Sequence, residues 1–154
     1  MARRTPARVD WGGLAHRAEE ARELAYAPYS RYRVGAALLA ARPGEPPEVY
    51  VGGNIENASY PLCVCAERHA IAHAVFAGAR EFLAMAVATE GPVAGSPCGA
   101  CRQVMAEFAR DLPVAMVVKG KCVKKTSLAR LLPDAFRAAD VGLGRPSAQK
   151  KPPK

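Results

Sequence analysis

The chain has 154 residues, half of them hydrophobic, and a formal net charge of +8. That size and apolar content suit one globular domain with a buried core, and argue against a disordered or multi-domain chain. No run of about eighteen apolar residues occurs, which excludes a transmembrane helix, and Met1-Ala2-Arg3-Arg4-Thr5-Pro6 has no apolar segment behind its charges, which argues against a secretory signal and for a cytoplasmic location.

Residues 1–10 read as a flexible lead-in. From Trp11 to Tyr26, Leu14, Ala18, Ala21, Leu24 and Ala25 recur at helical spacing, and Pro28 is the stop. Val34–Ala41 is a short apolar run, read as a buried strand. The turn Arg42-Pro43-Gly44-Glu45-Pro46-Pro47 leads into a second strand, Glu48–Gly53, making a hairpin. Asn54-Ile55-Glu56-Asn57 follows. In extended backbone, Asn54 and Glu56 point to the same side. Cys65–Ala79 is an alanine-rich helix, Phe82–Thr89 a strand, and 91–97 a loop. Cys98–Arg110 is a second alanine-rich helix, Pro113–Val118 a strand, and Ser127–Leu132 a short helix stopped at Pro133. Residues 11–144 form a single domain on this reading, and disorder is expected from Arg145. Strands alternating with helices after the hairpin imply an α/β domain with a mixed sheet covered by helices.

The charge is concentrated at the ends. Residues 1–10 carry +2 and residues 145–154 carry +4, leaving +2 over 11–144. Basic tails of this kind read as solvated and disordered. No strip of alternating aromatic and basic residues is present, which disfavours a nucleic-acid substrate.

Five cysteines, Cys63, Cys65, Cys98, Cys101 and Cys122, occur in a chain read as cytoplasmic. In a reducing compartment, clustered cysteines point to metal or catalysis rather than disulfides. Cys65 begins one helix, and Cys98 and Cys101 begin another. Helix N-termini carry unpaired N–H groups and partial positive charge, which favour thiolates. Three such ligands hold one Zn²⁺ and leave the fourth tetrahedral position to water, the arrangement of catalytic rather than structural zinc. Glu67, two residues after Cys65, follows the metal into the site, where a carboxylate can move the protons of that water. Arg68 is placed to donate to thiolate sulfur and offset the negative charge of the centre.

Two other ligand sets compete. Cys63 with Cys65, Cys98 and Cys101 would make a closed four-cysteine zinc site, and the protein a zinc-braced binding module. His69 and His73 stand four and eight residues after Cys65 and share a helical face with it. Cys63 and Cys122 otherwise read as small buried hydrophobes.

Cys65-Ala66-Glu67, followed after 29 residues by Pro97-Cys98-Gly99-Ala100-Cys101-Arg102-Gln103, resembles the zinc-dependent cytidine deaminases. The resemblance extends to Ala27–Ala37, Asn54–Tyr60 and Leu131–Phe136, and so covers residues 11–136. It implies a three-layer α-β-α fold with a mixed sheet of about five strands. It also implies one Zn²⁺ per subunit on Cys65, Cys98 and Cys101, with Glu67 as proton shuttle. Asn54 and Glu56 would hold the ribose, and Tyr32 would pack on the base. The N–H of Ala66 and the carbonyl near Ser96 would read the pyrimidine edge, and Tyr60 and Phe136 would complete pockets across subunits. One motif copy and an arginine after Glu67 resemble the homotetrameric branch. Where this chain has Tyr32 the family more often has phenylalanine, and the added hydroxyl needs a partner.

The activity so implied is hydrolytic deamination of cytidine and 2′-deoxycytidine to uridine and 2′-deoxyuridine with release of ammonia, as in pyrimidine salvage. A zinc-bound hydroxide attacks, and Glu67 carries the protons. A deaminase of nucleoside analogues, of the blasticidin type, carries similar motifs and is the alternative within the same chemistry.

Overall fold

Side chains on two central strands alternate between two separate cores. The computed structural model describes residues 9–143, so that residues 1–8 and 144–154, with most of the expected lead-in and all of the basic tail, lie outside the described residues. In β1 (Val34–Ala41), Ala36, Leu38 and Ala40 face one core, and Ala37 and Leu39 face the other. In β3 (Glu81–Thr89), Phe82, Met85 and Val87 join the first core, and Ala84, Ala86 and Ala88 the second. A register shift between Leu39 and Ala40 accounts for the break in parity at Phe82.

The second core is covered by α1 (Trp11–Glu23) through Leu14, Ala15 and Ala18. The first is covered by α2 (Ala66–Phe76) and α3 (Gly99–Phe108), with Leu128 of the one-turn α4 (Leu128–Leu131). The sheet is completed by β2 (Glu48–Gly53), β4 (Pro113–Val118) and β5 (Lys121–Ser127), in the order β2-β1-β3-β4-β5. Only β3 and β4 are parallel. This is the expected three-layer α-β-α fold with a mixed five-stranded sheet.

Small residues bring the helices directly onto the sheet. A Cβ at Gly35 would lie 2.1 Å from the Ala18 carbonyl oxygen of α1, and one at Gly52 would lie 2.5 Å from Ala70 N and 2.7 Å from Ala66 O of α2. Gly52 thereby sets the height of the first turn of α2 above β2. Val34 pairs with Thr89 and Gly35 with Gly53, so the start of β1 and the ends of β2 and β3 meet along one rim of the sheet, at the strand ends. The chain enters α2 and α3 at that same rim.

Three details differ from the sequence reading. The first helix ends at Glu23, short of Pro28, because the Tyr26 backbone bonds instead to the chain leaving β2: Tyr26 N–H donates to Asn54 O at 2.9 Å, and Glu56 N–H donates to Tyr26 O at 2.9 Å. The fifth strand is Lys-Cys-Val-Lys-Lys-Thr-Ser, of which the sequence reading covers only Ser127, as the start of the short helix. It is an edge strand, and the lysines that hide its periodicity also keep such an edge from pairing with other chains. Finally, residues 9 and 10 already belong to the fold. Val9 packs on the second core, and the Asp10 carboxylate accepts from Gly13 N–H at 3.0 Å as the N-cap of α1. No described helix is long and apolar enough to cross a membrane.

Candidate metal and substrate site

Cys65 and Cys98 are the N-cap residues of α2 and α3, each with extended backbone and a side chain free of capping bonds. Both thiols therefore stand at the positive ends of helices without being drawn into the backbone. Cys101 lies in the first turn of α3 and is fully buried. The Cys65 and Cys98 sulfurs are 3.9 Å apart, the Cys98 and Cys101 sulfurs are 3.5 Å apart, and all three lie within 4.8 Å of one another. Tetrahedral Zn–S bonds of about 2.3 Å place sulfurs about 3.8 Å apart, so these thiols fit a zinc ion. The donor set is also the soft one zinc prefers.

The competing ligand sets do not assemble. Cys63 Sγ is half-buried and turned to the Asn57 backbone, accepting from its N–H at 3.3 Å. His69 Nδ1 lies 2.7 Å from Gly53 O and His73 Nδ1 lies 3.3 Å from Val51 O, so both rings bind the edge of β2. Among the described residues the cluster offers three ligands, one fewer than a closed tetrahedral zinc site takes. Cys122 is half-buried rather than buried, against the second core.

Glu67 is 4 % exposed, and burial raises its carboxyl pKa above the usual range. A carboxylate in that state exchanges protons nearer neutral pH than a solvated one. The Cys65 thiol is pulled down to about 5, first by a hydrogen bond from Cys101, against its own burial, with Arg68 and Cys98 adding to the fall. Cys101 is pushed up, because its proton is held toward Cys65 and because it is buried. Arg68 Nη2 donates to Cys65 Sγ at 3.8 Å and to Cys63 O at 3.3 Å, while its buried Nε has no partner among the described residues.

The remaining expected residues fall on the segments around this rim. Ala66 is the first residue of α2 and fully buried, so its N–H has no acceptor within the helix. The Asn54 and Glu56 side chains do turn to the same side. Both engage the segment before β1: Asn54 Oδ1 accepts from Val34 N–H at 2.8 Å, and its Nδ2 donates to Tyr32 O at 3.0 Å. Glu56 accepts from Tyr29 N–H at 2.8 Å, from Ser30 N–H at 3.1 Å and from the Ser30 hydroxyl, which holds its carboxyl below the ordinary range. Tyr60 packs edge-on against Tyr29 with centroids 5.9 Å apart. Tyr60 and Phe136 remain largely exposed in the single chain.

Sequence reasoning assigned no role to Arg102 or Gln103, although both sit directly after Cys101. Arg102 donates to Pro97 O at 2.7 Å, to Leu131 O at 2.8 Å and to Ser96 Oγ at 3.0 Å. Gln103 exchanges two hydrogen bonds with the Phe136 backbone. These two side chains tie the loop before Cys98 and the C-terminal segment to the helix that carries the thiols.

A three-thiol zinc centre at two helix starts, with a buried carboxylate beside it on a three-layer α-β-α sheet, defines the zinc-dependent deaminase class of hydrolases. The signature of the family described as "Cytidine and deoxycytidylate deaminase zinc-binding region" matches residues 13–117, and the chain belongs to that family. A cytidine deaminase of Sporosarcina psychrophila is 49% identical over 136 residues, spanning 86% of this chain and 96% of the relative. One of Mycobacterium tuberculosis is 37% identical over 133 residues, spanning 86% and 94%. The crystal structure of a cytidine deaminase from Burkholderia pseudomallei superposes with a TM-score of 0.74 at 48% identity, over 80% of this chain and 97% of that one.

Proposed function

We propose that the chain hydrolyses the exocyclic C4–N bond of cytidine and 2′-deoxycytidine, giving uridine or 2′-deoxyuridine and ammonia. The observation that carries this is the juxtaposition of three mutually close thiols with the buried carboxylate of Glu67. Cys65, Cys98 and Cys101 hold the Zn²⁺, which when bound supplies a water acidic enough to attack at neutral pH. The Glu67 carboxylate accepts a proton from the nucleophile and places it on ring N3. It then carries a second proton to the departing amine, so that water enters, ammonia leaves, and the carboxylate is regenerated. The Ala66 N–H and the Ser96 carbonyl recognise the pyrimidine edge, and Tyr32 covers the base. Asn54 and Glu56 take the ribose with the hydrogen-bonding capacity left over from their bonds to residues 29–34. Arg68 balances thiolate charge.

The active form on this reading is a homotetramer in which Tyr60 and Phe136 complete a neighbour's pocket. Exposed apolar side chains support it: Phe76 is 97% and Leu24 is 87% exposed in the single chain, and Tyr60, Leu62 and Phe136 are mostly exposed. The reading includes a cytoplasmic location and a single catalytic domain over residues 11–144.

Cytidine turnover followed by ultraviolet absorbance, with and without a strong zinc chelator, tests the activity. Loss on chelation and recovery with zinc is the expected result, and no turnover by zinc-loaded protein would refute it. Light scattering on the purified protein reads the assembly.

A further inference from the structure

The structure places the Tyr32 hydroxyl against the loop that follows β3. A Cβ built on Gly95 would lie 2.9 Å from the Tyr32 hydroxyl oxygen and 2.7 Å from Thr89 Cγ2. The end of the phenol thus lies where a side chain at residue 95 would begin. Gly95 cannot retreat, because its N–H donates to Thr89 Oγ1 at 2.8 Å and Thr89 is buried at the end of β3. The next residues along the loop are Ser96, Pro97 and the zinc ligand Cys98.

The other end of Tyr32 is equally restrained. Its N–H donates to Ser30 Oγ at 3.0 Å, and that hydroxyl in turn bonds Glu56. Its carbonyl accepts from Asn54 Nδ2 at 3.0 Å. Arg31, immediately before it, is held at φ 57, a left-handed conformation that costs a non-glycine residue energy and persists only where surroundings impose it. Arg33, immediately after, donates to Glu90 Oε1 at 2.8 Å, at the start of the same loop. Residues 32 and 33 therefore grip the 90–95 loop at both ends.

We propose that the Tyr32 hydroxyl and Gly95 form an interlocking pair that sets the separation between the Asn54/Glu56 segment and the loop bearing Ser96 and Cys98. Tyr32 is, through this contact, a positioning residue for the pyrimidine pocket as well as a face for the base. The idea rests on the nucleoside deaminase reading above. Without the hydroxyl, the ring loses its stop against the loop and the pocket loses its fixed width. A substrate edge read by backbone groups is sensitive to that, since a displacement of about 1 Å can cost on the order of a hundredfold in rate.

The experiment compares wild type, Tyr32→Phe, Gly95→Ala and the double variant by steady-state kinetics with cytidine, each checked for zinc content and thermal unfolding. Tyr32→Phe is expected to raise KM several-fold with kcat and zinc nearly unchanged. Gly95→Ala is expected to lower kcat/KM by about tenfold or more. In a Thr89→Ser background, which keeps the Oγ acceptor and removes Cγ2, the Tyr32 oxygen at 2.9 Å is the one remaining described neighbour nearer than 3.4 Å to the new methyl. There, adding Tyr32→Phe to Gly95→Ala should recover much of the loss. Losses that simply multiply in that background, or a Tyr32→Phe enzyme with unchanged KM, would overturn the pairing. Should Gly95→Ala fail to fold, the KM-against-kcat split of Tyr32→Phe decides alone. A zinc-loaded wild type without cytidine turnover would instead refute the parent reading.

Discussion

Cys65 and Cys98 are the N-caps of two different helices, and their sulfurs stand 3.9 Å apart. A zinc ion held by both would join α2 to α3. Cys65→Ala and Cys98→Ala should each abolish zinc binding, read by elemental analysis, and lower the unfolding temperature. Zinc at about 100 times its Kd stabilises a protein by about 2.7 kcal/mol, so chelation should destabilise wild type measurably. Cys63→Ser should retain the metal, because Cys63 faces the Asn57 backbone.

Glu67 is a buried carboxyl in the first turn of α2, and burying an ionisable group costs stability. Glu67→Gln keeps the shape without the charge. Its kcat should fall by about a hundred- to ten-thousand-fold, the span of general acid–base contributions. Its zinc content should be unchanged, and its unfolding temperature equal to or above that of wild type, the usual trade at such sites. Appreciable residual turnover would remove Glu67 from the role of proton carrier.

Asn54 holds residues 32–34 through both ends of its amide. Asn54→Ala leaves the Val34 N–H and the Tyr32 carbonyl without these partners, at about 1–3 kcal/mol for each such group that stays buried. Both chemical denaturation and KM for cytidine should register the change. An effect on KM with unaltered stability would show that its bonds to the strand are dispensable.

Gly52 admits the first turn of α2 against β2. In Gly52→Ala the new methyl meets backbone rather than a movable side chain, and overpacking of this kind costs about 1–3 kcal/mol. Because Ala66 lies next to Cys65, zinc affinity should weaken along with stability. A zinc titration of this variant compares the two.

Glu90 lies between Arg22 and Arg33, and Arg33 foremost holds its carboxyl below the ordinary range. A depressed folded-state pKa contributes stability above the unfolded carboxylate pKa and loses it as pH falls through the folded value. Stability of wild type should therefore decline below the ordinary carboxylate range. Glu90→Gln should flatten that part of the acid limb in unfolding measurements made across pH.

The local spacing of residues was enough to determine the strands Val34–Ala41, Glu48–Gly53 and Pro113–Val118, since short apolar runs between turn residues have few other outcomes. It also determined that Cys65, Cys98 and Cys101 open helices with Glu67 beside them, because those relations lie within a turn or two of chain. The polar edge strand Lys121–Ser127 was not legible, because its position at the sheet edge, not its periodicity, makes it a strand. Nor was the early end of α1, which depends on Tyr26 finding partners at Asn54 and Glu56. Which thiols stand close enough to share a metal was decided by packing: only the folded chain turns Cys63 to Asn57 and His69 to β2. The same holds for Tyr32 and Gly95, separated by 63 positions in sequence. Their contact exists because β1 and β3 pair at Val34 and Thr89, and no local pattern encodes a contact made across a sheet.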